Sequence, residues 1–418
     1  NTIKKNYFII VLGACISIIP IVFTRFYTLP FDKQGYIYLA LAIGIGIIIY
    51  QILNNKKNCL VMFILPIIIF HCVQWWGDIG SFTLFSIGDD WLTYQNFARE
   101  IVVGADLFHR QVGAFTFQPL YRYFVGFFHI LFGKSFFAQR FFDIWAVIIT
   151  GIIINKWIET KYKRHIIFPA VLYYFAIFSG SFSYRIGQGL QEYAAMLFLM
   201  LCAWSIYRDK LTTRRTLAAA AGYGLVAYWL RQDHLPAILA AVGTVSERGE
   251  NRFSSSIKYF ITDLWQKRKS IIIFLCIIFA GILSIALRNY IVGDQFTLTK
   301  SSNMDFLKVD SILKMGRNIA RLILGTDDTS IPFYFHSIIM ALGSGIGIIS
   351  LFLRRSVFKD VPLYFGFLII AVMIPYLFIK MVAYPPRFSI HLLPFTVLAV
   401  SFFSIALFPI IKGVLKRH

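Results

Sequence analysis

Apolar positions in this chain come in long unbroken runs separated by short polar stretches. Across Ile272–Leu283 and Leu363–Ile374 every face is apolar, without the alternation of a half-buried strand or the single stripe of a soluble helix. Runs of this length predict membrane-spanning helices. They fall at roughly 6–24, 35–53, 59–76, 136–155, 166–182, 190–207, 216–231, 234–245, 270–288, 335–353, 361–379 and 388–411. Lipid offers no partner to a free backbone N–H or C=O, so spans are helices or a closed barrel. Barrel strands alternate apolar and polar residues, and these do not. The expected fold is all-α, a polytopic transmembrane helical bundle of about twelve spans.

The chain reads as one integral membrane domain, 1–418, with no internal repeat. Residues 1–76 hold the N-terminal spans, 77–135 a first long loop, and 136–411 the remaining spans with a second long loop, 289–334. Long loops in compact domains are uncommon and usually functional. Asp90–Val103 places Tyr94, Phe97, Ala98 and Ile101 at helical spacing. Tyr121–Phe132 is an aromatic run too short to cross a bilayer, which predicts a helix lying in the interface. Ile9–Phe23 is followed by no small-residue cleavage site and reads as a span rather than a cleavable leader.

Composition agrees with this class and excludes others. The chain is 58% hydrophobic and only 15% charged, against about 45–50% and about 25% for soluble domains. A net charge of +21 would suggest nucleic acid in a soluble protein, but more than half of the Lys and Arg residues sit in alternate short loops. There they orient helices and meet anionic headgroups, so membrane lipids replace nucleic acid as the expected partner. By the positive-inside rule both termini are cytoplasmic and the two long loops external. The five cysteines lie in or beside spans without metal-binding spacing and read as small core residues. No HExxH, GxxxxGK[ST] or GxGxxG motif is present. Gly343-Ser-Gly-Ile-Gly347 fits close helix packing.

Candidate chemistry concentrates near the external face. Asp89 and Asp90 precede the amphipathic segment, and adjacent carboxylates can bind a cation, deprotonate a hydroxyl or cap a helix. Asp327 and Asp328 are read as caps. Arg140, Arg185, Arg231, Lys380 and Arg387 lie in or against spans, where a charge costs about 2.5–3.5 kcal/mol and usually marks a site or a pair. Arg231 stands in Tyr228-Trp-Leu-Arg-Gln-Asp-His-Leu-Pro236, the tip of a helical hairpin, either paired with Asp233 or aimed at an anionic ligand. Arg387 stands in Tyr384-Pro-Pro-Arg-Phe-Ser-Ile-His391, one turn before His391, as a snorkelling cation or a ligand contact.

The order of these motifs resembles a known family. Gly88-Asp-Asp-Trp-Leu-Thr-Tyr-Gln-Asn-Phe-Ala98 is followed by Gln118-Pro-Leu-Tyr-Arg-Tyr123 and Phe132-Gly-Lys-Ser-Phe-Phe-Ala-Gln-Arg140. Leu230-Arg-Gln-Asp233 and Pro386-Arg-Phe388 come later. From about residue 77 to 411 the set resembles the integral-membrane GT-C glycosyltransferases, especially the protein-mannosyltransferase and aminoarabinose-transferase branch. The resemblance implies a polyprenyl-phosphate-linked sugar as donor, inverting transfer to an external lipid, glycan or protein, and a first-loop Asp as general base. Asp90 stands four residues before Tyr94, the spacing such enzymes show between acid and aromatic, so the resemblance implies Asp90 as that base, with Asp89 assisting or holding a divalent cation. Arg387, Arg231, Arg122 and His391 are the candidates for the donor phosphate, with Tyr94 and Asp233 beside them. The implied location is a bacterial inner membrane with the site facing outward. Two alternatives stay open: a polysaccharide polymerase or ligase of the O-antigen type, using a diphosphate donor, and a lipid-linked sugar transporter or flippase.

Overall fold

The computed structural model describes residues 90–104, 120–132, 137–163, 168–178, 190–246, 253–293, 312–325, 335–353, 360–378 and 389–415, with Ile166, Phe182, Phe358 and Arg387. Among them the regular structure is entirely helical. In chain order the helices are α1 (Asp90–Val102), α2 (Leu120–Phe132), α3 (Phe137–Tyr162), α4 (Phe168–Phe178), α5 (Glu192–Asp209) and α6 (Arg214–Leu230). A 3-10 turn, Gln232–His234, leads into the short α7 (Leu235–Ala240). Then follow α8 (Phe253–Gln266), α9 (Arg268–Gly293), α10 (Ile312–Leu324), α11 (Phe335–Phe352), α12 (Leu363–Phe378) and α13 (Leu393–Leu415).

Among the described residues three helices are long and apolar enough to cross a bilayer: Arg268–Ile291, Phe335–Phe352 and Leu393–Ile411, with mean hydropathies of 2.9, 1.8 and 2.2. On α9 an exposed stripe of Ile272, Phe279, Leu283, Leu287 and Ile291 follows helical spacing. Such a stripe suits lipid, because water would not tolerate so long an apolar face. The expected spans at 6–24, 35–53 and 59–76 lie outside the described residues.

Two expectations change. The segment 234–245 is a six-residue helix followed by a 3-10 turn, Ala241–Val245, rather than one span. At about 1.5 Å per residue it is too short for a core of about 30 Å. Cys276 is exposed on α9 rather than packed inside, while Cys202 is buried. The charged stretch after Arg248 also contains α8, whose amphipathic pattern is masked by the charges around it.

Packing follows from the side chains each helix presents. α5 turns sharply into α6 through Lys210, whose left-handed φ of 51° ends α5, and Thr213, which caps α6 through Thr216. The short link makes the two helices antiparallel neighbours. Trp157 of α3 is fully buried, stacks on Tyr207 of α5 at 4.9 Å and donates its ring N–H to the Tyr364 hydroxyl of α12 at 3.1 Å. Gly224 of α6 lies on Ile278 of α9, and Leu225 lies on Gly281. Hence α6 and α9 run side by side in one direction, with Arg215 level with the polar start of the α9 span and Arg231 near its far end.

The glycine stripe of α11 behaves as expected. A Cβ at Gly343 would lie 2.4 Å from the Thr396 carbonyl oxygen of α13, and one at Gly347 would lie 2.5 Å from Ile369 of α12. Gly343→Ala must therefore push α11 and α13 apart, at a cost of about 1–3 kcal/mol. Gly345 has nothing within 4 Å of its added Cβ, and Gly345→Ala is expected to be neutral or slightly stabilising. Thermal denaturation of both variants in detergent checks the contrast.

Candidate functional site

Glu192 opens α5, where a carboxylate faces the positive end of the helix dipole. It is 2% exposed, and its Oε1 accepts from Arg231 Nη1 at 2.9 Å and also from Arg387 Nε. Arg231 stands just past α6 in extended backbone, its N–H held by the Ala227 carbonyl at 2.8 Å. From there its guanidinium reaches Glu192 on one side and Asp233 on the other, with Nε 3.0 Å from Asp233 Oδ1. Asp233 also accepts the Tyr376 hydroxyl of α12 at 2.6 Å. Asn318 of α10 donates to the Tyr376 carbonyl at 3.3 Å, one residue past Pro375. Tyr376 lies in the last turn of α12, where carbonyls have no intrahelical partner and can receive a side-chain donor.

The segment before α13 closes the cluster. Ser389 donates to the Leu322 carbonyl of α10 at 2.6 Å, which sets Arg387 against Glu192 and His391 against His234. The two imidazoles meet edge to face, with centroids 4.1 Å apart and planes at 79°. Both rings are buried, and none of their nitrogens has a hydrogen-bond partner among the described residues. Burial alone would raise the Asp233 carboxyl, but the Arg231 guanidinium holds it well below the usual carboxylate range. Burial pushes the His234 imidazole down to about 4, opposed by Asp233 and aided by Arg231.

A second group of polar residues adjoins the first. Tyr94 of α1 donates its hydroxyl to the side chain of Gln191, the residue before Glu192. Tyr94 also packs edge-on against Tyr121 of α2 at 4.8 Å. Burial, then Asp143, Glu192 and Tyr94, pushes the Tyr121 phenol well above its ordinary value. Gln95 and His129 are hydrogen-bonded between the same two helices. Thus α1, whose first residue is Asp90, docks where the Arg231–Glu192–Arg387 cluster begins.

Of the residues singled out in the sequence, Arg231, Asp233, Arg387 and His391 come together, and Tyr94 reaches their edge. Arg122 is 1% exposed, lies beside Tyr123 with a 3.3 Å contact to the phenol, and has Arg288 as its cationic neighbour. Asp89 and the side chains of Asp90, Arg140, Arg185 and Lys380 lie outside the described residues. Glu192, His234 and Tyr376 were missed. A glutamate opening an apolar run was the available signal for the first, since a span begins there and the acid is carried into it. Among the described residues no three His, Cys, Asp or Glu side chains are grouped to hold a metal ion.

Compared with known protein families, curated proteins and solved structures, the chain matches none. Chemically the cluster offers two guanidinium groups, two carboxylates and two neutral imidazoles in surroundings nearly free of water. In low dielectric those charges act strongly on any anion or developing charge that reaches them.

Glu192→Gln removes the anion shared by two arginines and is expected to cost about 3–5 kcal/mol, read as a large drop in melting temperature. Acid is expected to destabilise the protein through His234. Between about pH 6.5 and 4 the unfolded chain binds a proton there that the folded chain refuses, so stability falls as pH falls, by roughly 1.4 kcal/mol per unit. Melting curves at pH 7.5 and 4.5 should therefore differ less for His234→Gln than for the unaltered protein.

Proposed function

We propose that the chain is an integral-membrane glycosyltransferase of the GT-C kind, built on about twelve spans. It moves a sugar from a polyprenyl phosphate to an external lipid, glycan or protein acceptor, with inversion. The observation that supports this reading is the meeting of Arg231 and Arg387 on Glu192, with His391 against His234 close by and the Gln191 side chain that Tyr94 holds next to Glu192. Residues nearly two hundred positions apart in the chain have no reason to share one buried pocket of charge unless stability or a ligand requires it.

In this mechanism the acceptor hydroxyl gives its proton to Asp90 as its oxygen bonds to the anomeric carbon. The bond from that carbon to the phosphate oxygen breaks, and polyprenyl phosphate leaves with an added negative charge. Arg387 and Arg231 stabilise that charge, and an imidazole N–H of His391 or His234 donates to a phosphate oxygen. The donor arrives by diffusion within the bilayer, so no nucleotide-binding fold is needed. Orientation by loop charge puts the termini in the cytoplasm and the site on the outer face of a bacterial inner membrane. A lipid-linked sugar transporter is the second reading, favoured by the break between α6 and α7 at the charged cluster, since transporters place substrate at discontinuous helices.

Purified protein incubated with a polyprenyl-phosphate sugar and membrane-extracted acceptors is expected to release polyprenyl phosphate and label an acceptor. Asp90→Asn should remain folded and lose about 10²–10⁴-fold in rate. Full activity in that variant removes Asp90 as the base. Passage of the donor across proteoliposomes without bond formation favours the transporter.

A further inference from the structure

A cavity of about 470 Å³ lies between α3, α5 and α6, at the end of these helices away from Glu192. Half-buried Trp145, Ile149, Leu201 and Trp204 form its apolar wall, and Lys156, Arg208 and Arg215 stand at its rim. Along α3 the step from Trp145 to Lys156 spans about 16 Å at 1.5 Å per residue. That is close to half of a hydrocarbon core of about 30 Å, the depth of one leaflet. The rim also lies at the right height. Gly224 and Leu225 of α6 pack on Ile278 and Gly281 of α9, which brings Arg215 level with Arg268 and Lys269, where the longest span begins. Trp265, exposed and 4.9 Å beneath the Arg268 guanidinium, marks the same level with an interfacial aromatic.

We propose that this groove is a structural lipid site for an anionic phospholipid. One acyl chain lies along Trp145, Ile149, Leu201 and Trp204, and the phosphate sits among Lys156, Arg208 and Arg215. The inference rests on the reading that α3, α5 and α6 lie within the bilayer, not on the reaction proposed for the opposite end. Charge complementarity selects the occupant. Lys156 is paired with Glu159 at 3.0 Å and Arg208 with Asp209 at 2.6 Å, both near the surface, where such pairs hold weakly. Arg215 is exposed and makes no ion pair among the described residues, and Arg214 adjoins it, so cations outnumber acids at the rim. An anionic headgroup balances that excess, whereas a zwitterionic one brings a further cation to it. A phosphate can accept several charge-assisted hydrogen bonds from arginines at once, with charge on both partners.

The full chain in phosphatidylcholine nanodiscs tests this, with a rising share of the lipid replaced by phosphatidylglycerol or phosphatidylcholine brominated in the acyl chain. Trp145 and Trp204 lie where bromine would quench them. Brominated phosphatidylglycerol is expected to quench tryptophan emission at lower mole fraction than brominated phosphatidylcholine. Arg215→Gln should reduce that preference about 5-fold, the weight of one cation near the membrane surface. Trp204→Phe should remove part of the phosphatidylglycerol-specific quenching while leaving the melting temperature near that of the unaltered protein. Equal quenching by the two lipids overturns the proposal, and so does a preference that survives Arg215→Gln and Lys156→Gln together. Quenching that does not involve Trp145 or Trp204 also overturns it, since another occupant then fills the groove.

Discussion

One carboxylate, Glu192, carries two guanidinium groups in a place almost without water. Taking any of these charges out of water alone costs several kcal/mol, so none can be buried until its partners are in place. The partners come from the start of α5, the turn after α6, the end of α12 and the segment before α13. The α5–α6 hairpin must stop where Arg231 can turn to both acids, and α12 must present Tyr376 to Asp233. α10 is then fixed through Asn318 and Leu322, which hold the two segments that close the cluster. The packing of small residues at Gly343 and Gly347 draws helices together elsewhere, but only the charge cluster dictates their register at this end.

The long helices were legible because their apolar runs are uniform. Phe335–Phe352 coincides with the expected 335–353, and Arg268–Gly293 extends the expected 270–288 by little at either end. What the pattern hid has a common cause. In α8 and α10 the apolar positions repeat at helical spacing, but charges interrupt them, so a scan for continuous runs passes over them as loop. In 234–245 the run is continuous but the chain bends within it, because a proline-initiated turn and a 3-10 segment change direction without adding polar residues. The site divides in the same way. Arg231, Arg387 and Asp233 could be singled out because charge in an apolar run is costly, whatever surrounds it. Tyr376 could not, since one tyrosine among many aromatics carries no mark of the hydrogen bond it will make.

The α5–α6 hairpin gives the molecule two unlike ends. At one end charges face inward and cancel: Glu192 and Asp233 against Arg231 and Arg387. At the other end Lys156, Arg208, Arg214 and Arg215 face outward, and the excess is positive. A lipid phosphate would be met differently at each. At the outward rim it finds cations in excess over acids, whose charge it can balance. At the inward cluster it would have to compete with carboxylates already bonded to the same arginines.

The two histidines decide what that cluster lacks as a purely structural device. Four charges satisfy one another, and a core built only for stability could stop there. His234 and His391 add two neutral rings, buried, set edge to face, with no bond from any ring nitrogen among the described residues. A buried donor or acceptor left unmade costs about 1–3 kcal/mol. Apolar residues of similar size would remove that cost, so a partner that reached these nitrogens would be favoured. A ligand oxygen that accepts from an imidazole N–H beside Arg387 is such a partner, and it repays the cost only when bound. On the reading proposed above, the paired imidazoles near Arg387 are the neutral groups that a lipid-linked phosphate would meet.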